Sequence, residues 1–204
     1  MTFAMTRFAR IAALLAAGVW LVATLAFGAA LDGYSQLQHP LALLGARGID
    51  RAEGYNLLGF AAPGVLAAIV AYALRAGLPA GAGWSARIGV QLLVLAALAF
   101  AAQGWWSLEP SDIEGGASAL HVSMWTLWWV ALLPAGPLLA IGLRGGPAAR
   151  LGAGALVMVA CVIGFGLFAA PLGLPAGFAQ RAAIAAWLAW MAWAGWSTRP
   201  STAS

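Results

Sequence analysis

The residues in this sequence best suited to bind a metal or move a proton are two histidines, His39 and His121, and a few carboxylates around them. His39, Glu53, Asn56, Glu109, Asp112 and His121 form the candidate set. Two imidazoles with carboxylates nearby can hold a divalent cation, and a held cation can activate water for hydrolysis of a lipid or an amide. Within the set, His39, Asp112 and His121 are the candidate metal ligands. Spacing gives them no local support. Neither His-x-x-x-His nor His-Glu-x-x-His occurs, so the ligands would have to converge from separate elements. A three-histidine site is ruled out by count. His121 could instead ligate a haem or a chlorin. A plainer reading gives it a hydrogen bond to a neighbouring helix or a loop carbonyl, and leaves Glu109 and Glu114 in a solvated loop. Ser35 and His39 stand four apart, but without a placed acid and oxyanion donors they make a weak nucleophile pair.

The elements that must position these residues are legible as patterns. Gln103 to Trp129 holds three of the six acidic residues and five of the eleven tryptophans. Ser111 to Glu114 has capping-box spacing, Gly115-Gly116 breaks any short helix begun there, and Ser118 is placed to cap the next long helix. His121 then falls in the first, wet turn. Trp125 and Trp128 follow it on one face at i+4 and i+7, an aromatic wall descending into the apolar segment. In the stretch 32–56, Pro40 suits the start and Gly45 the end of a short helix. Leu41, Leu43 and Leu44 make that helix apolar enough to lie at a membrane interface or re-enter the bundle. His39 stands at its start, and Asn56 opens the following long segment. Tyr34 and Tyr55 read as interfacial anchors, and Cys161 as packing.

The chain as a whole is 63% hydrophobic and 8% charged, with a mean hydropathy of +0.90. A soluble domain of 204 residues cannot hide that much apolar surface, so lipid is the expected solvent. The basic residues are all arginine and lie singly or in loose pairs, which argues against nucleic acid. Six apolar segments are expected to span, at about 8–31, 55–74, 88–106, 118–143, 151–170 and 178–196. The fold class is therefore all-α and integral to the membrane: one domain over 1–204, a single bundle, with the short interfacial or re-entrant helix between the first two spans. The run 11–31 is too long for a signal-peptide core and reads as a retained helix. Arg7, Arg10, Arg75, Arg87, Arg144, Arg150 and Arg199 fall in regions without an acid. Asp32, Asp50, Glu53, Glu109, Asp112 and Glu114 fall in the first and third connections. The positive-inside rule then puts both termini in the cytoplasm and the carboxylates outside.

His39-Pro40-Leu41-Ala42-Leu43-Leu44-Gly45, followed by Tyr55-Asn56-Leu57-Leu58-Gly59-Phe60 and Pro63-Gly64, resembles the bacterial membrane family known as domain of unknown function 998. Glu109-Pro110-Ser111-Asp112 and Ser118-Ala119-Leu120-His121 fit the same pattern, over roughly the first three-quarters of the chain. The family commonly has Ser where this chain has Ala42, so one hydroxyl is missing from any shared site. The resemblance implies a multi-pass membrane protein and supports grouping His39, Asn56, Asp112 and His121; the expected location is the bacterial inner membrane. It supplies no activity. Three function classes follow: a binding or partner protein holding a lipid, pigment, quinone or another membrane subunit; a metal-dependent hydrolase acting on a lipid-like substrate at the outer interface; and a small transporter. The last lacks ionisable residues at helix midpoints and evident inverted repeats.

Overall fold

The computed structural model describes residues 2–78, 81–145 and 148–197, with side chains described from Arg7 to Trp196 within those ranges. It is all helical among the described residues. The long helices are α1 (Thr2–Ala30), α2 (Ala52–Ala76), α3 (Trp84–Ala102), α4 (Gly116–Leu143), α5 (Ala149–Phe168) and α6 (Ala176–Ser197). The first five are long and apolar enough to cross a membrane, α1 counted from Arg7. That makes the chain an all-helical, multi-pass membrane protein in contact with lipid. In α6, Gln180, Arg181 and four tryptophans dilute the apolar character.

Each long helix packs on the next, and α6 returns to α1 and also touches α2. The result is a ring of consecutive helices, as short connections between neighbours dictate. Its core runs through Phe60, Phe100, Leu132, Trp128, Trp187 and Met191, all fully buried. Small residues set how close the helices come, because packing and not water exclusion drives association in lipid. A Cβ on Gly64 of α2 would lie 2.6 Å from the Ala101 Cα of α3. One on Gly142 of α4 would lie 2.7 Å from the Ala86 Cα of α3.

Connections 31–51, 103–115 and 169–175 meet at one end. Arg47 N–H donates to the Leu108 carbonyl at 2.8 Å, and Phe178 N–H to the Leu37 carbonyl at 2.9 Å. Since every Asp and Glu of the sequence falls in or beside the first two of these connections, we call this the acidic end. Arg10 lies 5.2 Å from the ring centroid of Trp196 at the other, basic end, which brings the start of α1 to the close of α6. Arg199 lies outside the described residues.

Several boundaries differ from the sequence reading. The short helix is a 3-10 turn, Leu41–Gly45, with Pro40 at its N-cap position and not within it. Leu41, Leu44 and Gly45 are buried, so the turn sits in the bundle end. Helix α2 starts at Ala52, and Asn56 does not open it. The residue lies inside, where the helix widens into a π turn over Asn56–Ala61 before Pro63. Helix α3 ends at Ala102, leaving Trp105 and Trp106 in the connection. No capping box forms at Ser111: its hydroxyl donates to Glu109 Oε1 at 2.8 Å. Helix α4 starts at Gly116 with Gly115 as its N-cap residue and no side-chain cap, so Ser118 is inside the helix. Gly115 is extended, and a Cβ on it would meet the Asp112 carboxylate; the Ser118 hydroxyl, inside the helix, has another partner.

Candidate functional site

The acidic end carries two polar nodes, one buried and one half-buried. The first is built on Asn56, which is buried where the π turn displaces one residue out of the regular helical ladder. Such turns recur at functional positions because they re-aim side chains. The Asn56 Nδ2 donates to the Gly45 carbonyl and to the Ser107 hydroxyl, both at 2.9 Å. One amide thus ties α2 to the 3-10 turn and to the third connection. The fit excludes bulk: a Cβ on Gly45 would sit 2.8 Å from Asn56 Cγ, and one on Gly104 3.2 Å from the Asn56 backbone carbon.

His121 closes the same connection from the other side. Its Nδ1 lies 3.0 Å from the Gln103 carbonyl and 2.9 Å from the Trp106 carbonyl. Carbonyls only accept, so Nδ1 carries the hydrogen, and in the neutral ring the lone pair is left to Nε2. The residue is 4% exposed, in the second turn of α4, and so it is not the wet first-turn histidine expected from the sequence. Of the readings open for His121, the loop-carbonyl hydrogen bond is the one the structure contains. Phe60 meets its ring edge-on at 5.6 Å. Below it Trp125 and Trp128 stack at 4.9 Å, and Trp128 meets Trp187 of α6 at 5.6 Å. Trp128 is fully buried in this stack, and Trp125 is half-buried. Ser118 accepts from the Glu109 N–H at 2.8 Å and anchors the end of the connection to α4.

The second node centres on Arg181, which the sequence reading passed over. Its Nε donates to Gln36 Oε1 at 2.8 Å, and its Nη1 to the carbonyls of His39 and Gly177 at 2.9 and 2.7 Å. Its Nη2 donates to the Tyr34 hydroxyl. Gln180 beside it accepts from the Leu41 N–H at 2.9 Å, and Gln36 Nε2 reaches the Thr24 carbonyl of α1 at 2.8 Å. Four acceptors from the first connection and α6 thus share one planar cation, a geometry suited to a guanidinium and not to an ammonium. Burial holds the Tyr34 hydroxyl above its ordinary pKa, with the neighbouring Arg181 charge pulling it down. One signal pointed to this residue: an ionisable group inside an otherwise apolar segment is a functional candidate by default.

The predicted set does not converge. His39 is half-exposed, its Nδ1 accepting from the Ser35 N–H at 2.9 Å, while the Ser35 hydroxyl accepts from the Gln38 N–H. The Ser35 hydroxyl and the His39 ring are therefore not paired as nucleophile and base. Asp112 and Glu53 are exposed, and Glu109 pairs with Arg47 at 3.5 Å. Among the described residues no group of three or more His, Cys, Asp or Glu is placed to hold a metal ion, so His39, Asp112 and His121 are not brought together as ligands. They sit on elements anchored by different partners. Tyr55 is fully buried against Phe27 and Phe60, so it is a core residue and not an interfacial anchor. Comparison of the chain with protein-family models, curated proteins and solved structures finds no match in any of the three.

Proposed function

We propose that this chain is a six-span protein of the bacterial inner membrane, both termini cytoplasmic, that serves as a binding or partner subunit. Its ligand would be a lipid-like molecule, a pigment or another membrane subunit, held along its apolar flank. The observation that carries this reading is the use made of the polar residues at the acidic end. Asn56, His121 and Arg181 each bond to backbone carbonyls of connections crossing the bundle. Groups so engaged fasten an end closed; a hydrolase needs them converging on a substrate. The metal-hydrolase alternative therefore has no assembled ligand set behind it, and the transporter alternative still lacks ionisable groups at helix midpoints. The outer perimeter, by contrast, presents exposed Leu167, Phe168, Trp193 and Trp196 on the two last helices.

The sixth span is supported by length and place. Helix α6 has 22 residues, about 33 Å at 1.5 Å each, enough for a hydrocarbon core of about 30 Å. Its Gln180 and Arg181 sit in the first two turns, at the acidic end. Orientation rests on Arg7, Arg10, Arg75, Arg87, Arg144, Arg150 and Arg199, which fall in regions without an Asp or Glu, against Arg47, Arg51 and Arg181 at the acidic end. Membership in the domain of unknown function 998 family is part of the proposal. In its favour, the quoted motifs meet in space: Gly45 accepts from Asn56, and the segment around Glu109 is pinned by Ser118.

A second reading has one observation behind it. With Nδ1 fixed on two carbonyls, His121 is oriented as histidines that bind a metal centre through Nε2 often are, which keeps a haem or chlorin ligand in play. Native mass spectrometry, metal analysis and a visible spectrum on gently solubilised protein test both. Co-purified lipid or a partner chain, without stoichiometric metal, is the expected result. A chromophore lost in His121→Ala would establish the second reading instead. A bare monomer carrying stoichiometric metal would overturn both.

A further inference from the structure

At the basic end, between the close of α2 and the start of α3, lies a cavity of about 770 Å³ lined by Arg75, Leu78, Trp84, Arg87, Ile88 and Gln91. We propose that this cavity binds the headgroup of an anionic phospholipid. The site is distant from the polar nodes and does not depend on the function proposed for them.

Three features of the lining select that ligand. Two guanidinium groups, with the Gln91 amide beside them, form a donor set for phosphate, and every Asp and Glu of the sequence falls at or beside the other end. Leu78 and Ile88 give the same cavity an apolar side, which free phosphate would leave unused and a glycerol backbone with the first acyl carbons would cover. The volume falls in the range of small-molecule sites, more than a lone inorganic phosphate fills. Trp84, 81% exposed at the start of α3, has the amphipathic ring that settles at headgroup level. Basic pockets between spanning helices, facing an anionic leaflet, bind such headgroups by charge and shape together. The Arg87 Nε also donates to the carbonyl of Ala82, itself a lining residue, at 3.1 Å.

The test is native mass spectrometry on the full chain in detergent, titrated separately with phosphatidylglycerol and phosphatidylcholine. Phosphatidylglycerol is expected to be retained on the order of tenfold better. The double variant Arg75→Gln, Arg87→Gln should lose that preference. Arg144→Gln with Arg150→Gln removes equal charge from the same end, outside the cavity, and should keep it. Equal loss in both pairs would overturn the proposal in favour of diffuse surface charge. Displacement of the lipid by an equal concentration of inorganic phosphate would overturn it in favour of a free-anion site. If the double variant does not fold, Arg75→Gln alone leaves the Arg87–Ala82 bond intact and should still weaken phosphatidylglycerol retention more than Arg150→Gln does; an equal effect refutes the site.

Discussion

Asn56 offers its amide hydrogens to a carbonyl on one connection and a hydroxyl on another. Asn56→Ala should therefore destabilise the protein by about 1–3 kcal/mol, the usual range for stranding buried hydrogen-bond partners. Thermal unfolding in detergent measures it, and an unchanged midpoint would remove Asn56 from the fastening. Arg181→Ala should cost on the order of 3 kcal/mol, since it strands four acceptors at once, and Arg181→Lys should recover little because an ammonium cannot span them. The accompanying signature is faster proteolysis within 31–51. Tyr34 adds a pH dependence. Its folded pKa is raised above the unfolded value, so its contribution is complete below the ordinary tyrosine range. It falls away as pH rises from the unfolded pKa through the folded one, and Tyr34→Phe should flatten stability over that alkaline window. Asn56 and His121 were legible because polar residues stand out in apolar sequence. Arg181 was not, since an arginine near a segment end looks like an interfacial anchor, and its partners Gln36 and Tyr34 lie 145 and 147 positions away.

At the scale of elements, the long apolar segments announce the helices, and the observed ones fall within a few residues of the expected spans. The departures gather where backbone geometry decides. A π turn leaves no mark in hydropathy, so the start of α2 was placed late. Serine at 111 and 118 looked like a helix start, while α4 begins at Gly116 and both hydroxyls bond to Glu109. Glycine positions separate by contact in the same way. Gly64→Ala must push α2 away from the Ala101 backbone and should cost about 1–3 kcal/mol. Gly18→Ala has open space around its new methyl and should be neutral or stabilising by up to about 1 kcal/mol. Paired unfolding curves check the contrast, and similar shifts for both would show that helix contact is not what Gly64 serves.

For the molecule as a whole, composition alone dictated a lipid solvent and an all-helical fold, and the ring order follows from short connections. Charge asymmetry is the basis of the proposed orientation, but pattern reading could not show how the ends are secured, because the fastenings join residues remote in sequence. The central claim is that connections 31–51, 103–115 and 169–175 share the face of the membrane away from the cytoplasm. Labelling of single cysteines by a membrane-impermeant reagent in intact cells, in a Cys161→Ala background, tests it directly. Asp112→Cys and Leu172→Cys should both react from outside while Gly145→Cys is protected. Reaction at 145 with protection at 112 would invert the proposed topology, and opposite behaviour at 112 and 172 would contradict the proposed six spans.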